Sequence, residues 1–138
     1  MQVSQAMSEV VVTVGPRHTL ADVARRMADG NVGAAVVLDP ELPGAAIITE
    51  RDISHSVAAG ESPGEELVEG HMASRVVYAD AAWSLEKAAE TMVANGFRHL
   101  VVVEGSRTAG VISMRDIVRA WVSEGATCDL PVVAGQVG

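Results

Sequence analysis

Apolar and polar positions recur in matched blocks along this chain. Leu20, Val23, Ala24 and Met27 stand at i, i+3, i+4 and i+7, the spacing that lines one face of an α-helix, and Leu85, Ala88, Ala89 and Met92 repeat it. Thr19 and Ser84 precede these stretches as candidate N-caps, and Gly30 and Gly96 end them. A β-branched run leads into each helix, Val10 to Val14 and Val76 to Tyr78. Two short apolar runs follow each helix: Ala34 to Leu38 and Ala45 to Thr49 in the first half, Leu100 to Val103 and Ala109 to Ser113 in the second. Their near-continuous hydrophobicity predicts strands buried on both faces, and a further helix follows each pair, starting near Glu50 and Met114. Each half reads β-α-β-β-α, an α/β fold.

The halves align with one another. VVTVGPRHTLADVARRM at 11–27 matches VVYADAAWSLEKAAETM at 76–92 with an offset of 65, which holds through VGAAVVLD at 32–39 and FRHLVVVE at 97–104. The offset drops to 64 between AIITERDI at 46–53 and GVISMRDI at 110–117, so one residue is lost in a loop, where the chain tolerates it. We expect repeat 1 over 5–60, a connector rich in Gly, Pro and Glu over 61–70, repeat 2 over 71–124 and an irregular tail over 125–138. Within the connector and its exit, EELVEGHM can form a short helix. A unit of about 64 residues with a Val and Ala core is marginal alone, so the two halves are expected to pack together.

Composition narrows the function. The 138 residues are 49% hydrophobic and 20% charged, enough apolar surface for a folded core and too short a chain for a large enzyme. A net charge of -8 repels phosphate backbones and anionic lipid, and aromatic platforms are scarce, so neither nucleic acid nor membrane is an expected partner. No window approaches the ~18 apolar residues of a membrane span, and no targeting segment is recognised. The single cysteine, Cys128, fits a reducing cytoplasmic interior. His18, His55, His71 and His99 are scattered without the spacing of a known metal motif, and no nucleophile or P-loop motif occurs, so neither a metal nor catalysis is expected.

The doubled ending, a small residue, two aliphatics, Ser or Thr, two variable residues, Asp and Ile, together with NGFRHLVVVE, resembles a tandem pair of cystathionine beta-synthase (CBS) domains, a Bateman module, over residues 5–123. GVISMRDI fits this pattern fully; AIITERDI carries Ala46 where the family usually has Gly. The resemblance implies two repeats related by a pseudo-twofold axis, a cleft that commonly binds adenine nucleotides, and dimerisation through the amphipathic helices. It also implies that the Asp of one repeat shares its cleft with the opening strands of the other. Asp116 would then face Val12, Val32, Gly33 and Ala34, while Asp52 would face Val77, Phe97 and Arg98.

Two roles coexist for Thr49 to Asp52 and Ser113 to Asp116. Ser or Thr three residues before an acid at a helix start forms a capping box. The same carboxylate, favoured by the helix dipole, has lone-pair sites to accept both hydroxyls of a ribose. Arg51, Arg115, Arg98 and His99 are the candidates to offset phosphate charge, against the alternatives of solvated arginines and a hydrogen-bonded core histidine. We favour the Asp116 cleft, because Gly33 and Ala34 leave room for a purine; Phe97 either stacks on adenine or fills the other cleft. Trp121, with Ile117, Val118 and Val122, enlarges the apolar face of the last helix to cover the core or meet a second copy. The leading expectation is a sensor without catalysis that binds AMP, ADP, ATP or S-adenosylmethionine and reports to a separate regulated protein. The alternative is a ligand-free scaffold.

Overall fold

The computed structural model describes residues 1–9, 12–42, 44–73 and 76–124; the expected start of the leading strand at 10–11 and the expected irregular tail, with Cys128, lie outside them. In chain order the elements are α1 (Val3–Ala6), β1 (Thr13–Val14), α2 (Leu20–Gly30), β2 (Ala34–Val37), β3 (Ala46–Thr49), α3 (Glu50–Ala58), a 3₁₀ turn (Val68–Gly70), β4 (Tyr78–Asp80), α4 (Leu85–Asn95), β5 (His99–Glu104), β6 (Arg107–Ser113) and α5 (Met114–Ser123). They form two three-stranded sheets, β1-β2-β3 and β4-β5-β6, each with its first strand parallel and its last antiparallel to the middle one. The pairing registers are equivalent. Thr13 lies opposite Val36 as Tyr78 lies opposite Val101, and Ala34 opposite Thr49 as His99 lies opposite Ser113. The lost residue therefore falls in the β-hairpin loop, where no register depends on it.

Local chemistry sets the helix boundaries. The Thr19 and Ser84 hydroxyls each accept the amide three residues on, at 3.1 Å, satisfying an orphan donor of the first turn. Gly96 ends α4 in the left-handed region at φ 69, but in α2 that conformation falls on Asn31 (φ 52) while Gly30 is still helical. Asparagine tolerates the left-handed region better than most residues with a Cβ, which is why it can serve as the cap after Gly30. Strand β2 is buried throughout, as its apolar run predicts. The longer β6 departs from that expectation: Arg107 and Thr108 are exposed and a bulge interrupts its pairing with β5, because this hairpin end projects past the core.

Each repeat completes its core with a segment from before the other. Val3 donates to the Trp83 carbonyl at 2.8 Å, Ser4 donates to that of Ala81 at 3.0 Å, and Ser8 pairs with Val111 on β6. Val3 is thereby fully buried among Leu85, Met92, Leu100, Ile112 and Ile117 of repeat 2. The expected connector does the same for repeat 1. Leu20 donates to the Glu66 carbonyl and Val68 to that of His18, both at 2.9 Å, and Ala73 pairs with Ile47 on β3. Val68 is fully buried beside Leu20, Val23, Val37 and Ile48. A third cluster, Ala34, Ile47 and Val101, joins the two sheets beneath the seam.

Candidate ligand cleft between the repeats

The cleft is built at two helix starts. Thr49 and Ser113 leave their strands with extended backbones (ψ 165 and 161) and turn directly into α3 and α5. Thr49 N–H donates to Asp52 Oδ2 at 2.9 Å and Ser113 N–H to Asp116 Oδ2 at 2.8 Å. The reciprocal bonds from the Asp52 and Asp116 amides to the hydroxyls measure 3.4 and 3.0 Å, closing two capping boxes. The next amide of each helix is held too: Glu50 N–H reaches the Gly33 carbonyl at 3.0 Å and Met114 N–H that of Arg98 at 2.9 Å. Each carboxylate thus turns onto its own helix start through one oxygen, and the capping role expected from the sequence is present in both copies.

The seam between the repeats nevertheless stays open. A single cavity of about 1230 Å³ runs along it, and all fourteen residues singled out from the sequence line it: Val12, Val32, Gly33, Ala34, Thr49, Arg51 and Asp52 from repeat 1, Val77, Phe97, Arg98, His99, Ser113, Arg115 and Asp116 from repeat 2. Phe97 is 37% exposed and lines the cavity, and Asp52 shares that cavity with Asp116. The charge here is the reverse of the chain's. Arg51, Arg98, Arg115 and Arg119, of ten basic residues, meet Glu50, Asp52 and Asp116, of eighteen acidic ones. Arg115 crosses to the other repeat and donates to the Asn31 carbonyl at 3.2 Å. Arg119 stands 3.6 Å from Asp116 Oδ1, whose side chain is 14% exposed.

His99 sits where the repeats meet. A Cβ on Gly33 would lie 3.3 Å from His99 Nε2 and 3.4 Å from Glu50 Oε2, so the space that glycine leaves is shared with an imidazole and a carboxylate as well as the cavity. Burial lowers the His99 pKa from its ordinary 6.5; Asp116 and Glu50 oppose that shift, and Arg115 and Arg98 add to it. The ring is neutral at pH 7. Sequence reasoning missed Glu50, Asn31 and Arg119. Arg119 follows Asp116 by one helical turn and was open to discovery from that spacing; Glu50 and Asn31 reach the seam only through tertiary packing.

Among the described residues no helix is long and apolar enough to cross a membrane. On α5, Ile117 is buried and Trp121 packs on the repeat 2 core, while Val118 and Val122 are 51% and 71% exposed.

Two pseudo-equivalent α/β repeats, each supplying a capped carboxylate to a shared seam, define a paired-repeat architecture. The chain belongs to the CBS-domain family: the CBS domain model matches residues 3–59 and again 65–123. An uncharacterized 17.7 kDa protein of Acidianus ambivalens is 35% identical over 120 residues, 86% of this chain and 72% of that protein. Among solved structures, the hexameric CBS-CP12 protein from bloom-forming cyanobacteria aligns with a TM-score of 0.82 at 28% identity, over 89% of this chain and 74% of that one. The CBS domain protein PAE2072 from Pyrobaculum aerophilum, complexed with AMP, aligns with a TM-score of 0.76 at 28% identity, over 90% and 97%. CBS pairs are regulatory modules.

Proposed function

We propose that the seam binds an adenine nucleotide and that its occupancy, without bond-breaking chemistry, is passed to a separate partner protein. One observation carries the reading: a cavity of about 1230 Å³ reaches two capped carboxylates and is ringed by arginines in a chain of net charge -8. Asp116 spends Oδ2 on its cap and keeps acceptor capacity for a ribose diol. Val12, Val32 and Ala34 offer an apolar wall for the base, and Arg115, Arg98 and His99 lie where phosphates need charge and donors. The likeness to an AMP-complexed CBS protein supports the same ligand class. Ligand contacts to both repeats bias their arrangement, which is the state a partner reads. A second copy docks on the amphipathic helices, where Val118 and Val122 of α5 remain exposed, and the module works in the cytoplasm.

The rival, a scaffold without ligand, draws on the cap bonds, which occupy one oxygen of each carboxylate. Calorimetric titration of AMP, ADP, ATP and S-adenosylmethionine into wild type, Asp116→Asn and Asp52→Asn separates the two. Asparagine keeps an acceptor for the capping amide and removes the charge. At least one ligand is expected to bind and to raise the melting midpoint, with Asp116→Asn weakening it about 10- to 100-fold, the worth of a charge-assisted bond. Silence from all four ligands in heat and in melting leaves only the scaffold.

A further inference from the structure

Away from the seam, Glu61, Glu66 and His71 converge where the chain between α3 and β4 folds back onto repeat 1. One ligand atom from each lies within 4.8 Å of the others. Glu66 Oε1 and His71 Nε2 are 2.9 Å apart. The set is mixed rather than acidic: an imidazole nitrogen with two carboxylates matches a borderline divalent ion such as zinc, whereas calcium and magnesium favour shells of oxygen alone.

The supporting residues are committed to this geometry. Ser56, 2% exposed, is the one buried polar side chain among the described residues. Its hydroxyl donates to Glu61 Oε1 at 3.1 Å, and its carbonyl accepts the Glu61 amide at 3.1 Å. A buried hydroxyl spent on aiming a surface carboxylate is the kind of outer contact that orients metal ligands. The Glu66 amide is held by the Ser62 carbonyl at 3.0 Å and the His71 amide by that of Val68 at 2.9 Å, so all three side chains spring from hydrogen-bonded backbone. Repeat symmetry does not supply the cluster: at the offset of 65, Glu66 corresponds to Met1 and His71 to Ala6.

We propose that Glu61, Glu66 and His71 bind one divalent transition-metal ion of the zinc class, with water completing the shell. The ion ties the chain just past α3 to both sides of Val68, the residue that fills the repeat 1 core, and so fastens the connecting segment to the repeat it completes. The cluster is separate from the cleft, and its test is independent of nucleotide binding.

The test is a zinc titration of the full, chelator-stripped chain against a chromophoric competitor, with His71→Asn, Glu66→Gln and Cys128→Ser alongside. Asparagine at 71 retains an N–H to donate, and melting of each metal-free variant establishes that it folds. The proposal expects one zinc per chain, affinity at least 10-fold weaker in His71→Asn and Glu66→Gln, no change in Cys128→Ser, and a zinc-dependent rise in melting midpoint that His71→Asn abolishes. Cobalt in place of zinc should give d–d bands without a thiolate charge-transfer band. Failure to compete for zinc, equal affinity in folded His71→Asn and Glu66→Gln, or loss of binding in Cys128→Ser overturns it.

Discussion

The two repeats share a backbone and differ in what they turn toward the seam. Both start their second helix with the same box, Thr49 with Asp52 and Ser113 with Asp116, and both hold the following amide with a carbonyl from the approach to the middle strand. Around this common frame Gly33 is answered by Arg98, Ala34 by His99 and Glu50 by Met114. Positions that satisfy backbone groups keep their chemistry because a buried orphan amide is expensive. Positions that only face the cavity carry no such obligation. Two halves built on one pattern can therefore turn unequal chemistry toward the seam while equal in fold.

The largest expected break in this comparison lies on the third strand of each sheet. A Cβ on Gly110 would collide with the Ser8 carbonyl, and a backbone atom cannot swing aside as a side-chain tip can. Gly110→Ala should lower the unfolding free energy by about 3 kcal/mol in urea denaturation, the upper range for overpacking. At the equivalent position repeat 1 already buries Ala46, and Ala46→Gly should cost only about 0.5–1 kcal/mol, through chain entropy. Equal losses at the two sites would mean that the Ser8 segment yields to the new methyl group.

The exchanged valines come next. Val3→Ala and Val68→Ala each remove two buried methyl-sized groups and should each cost about 2 kcal/mol, from ~0.8 kcal/mol per group plus the cavity. A neutral Val3→Ala beside a costly Val68→Ala would show that the leading segment does not dock on repeat 2 as the connector docks on repeat 1. The smallest effect concerns His99, whose counterpart Ala34 does not titrate. Because burial lowers the folded pKa of His99, the unfolded chain takes its proton first as pH falls through 6.5. Its contribution to stability is complete above that pH, declines as pH drops toward the lowered folded value, and is level below it. His99→Gln should remove this slope from stability measured between pH 7 and 5, and an unaltered slope would assign it to other groups.

Much of the fold was legible because it is written locally. The starts at Glu50 and Met114 follow from a capping residue three places before an acid, and α2 and α4 follow from their apolar stripes. Gly30 closes α2 as the sequence predicts, but the left-handed cap that follows falls on Asn31, which the stronger glycine signal beside it conceals. The segment exchange has a faint trace: Val3 and Met7 match Val68 and Met72 at the same offset of 65, ahead of the blocks that repeat most clearly. Short segments with one buried side chain carry too little periodicity to announce themselves. The fourteen cleft residues were gathered through the repeat and its family resemblance, whereas Glu50 and Asn31 gave no local sign of facing the seam.

By itself the sequence determined the elements, their caps, the doubling and the acidic surface, since each depends on residues within a few positions of one another or on simple counts. Tertiary structure alone decided which leading segment completes which core and which charges meet at the seam. Arg115 and Asn31, 84 positions apart, become partners only when the two sheets pack. Such contacts depend on the relative placement of whole repeats, and no periodicity within either repeat encodes it.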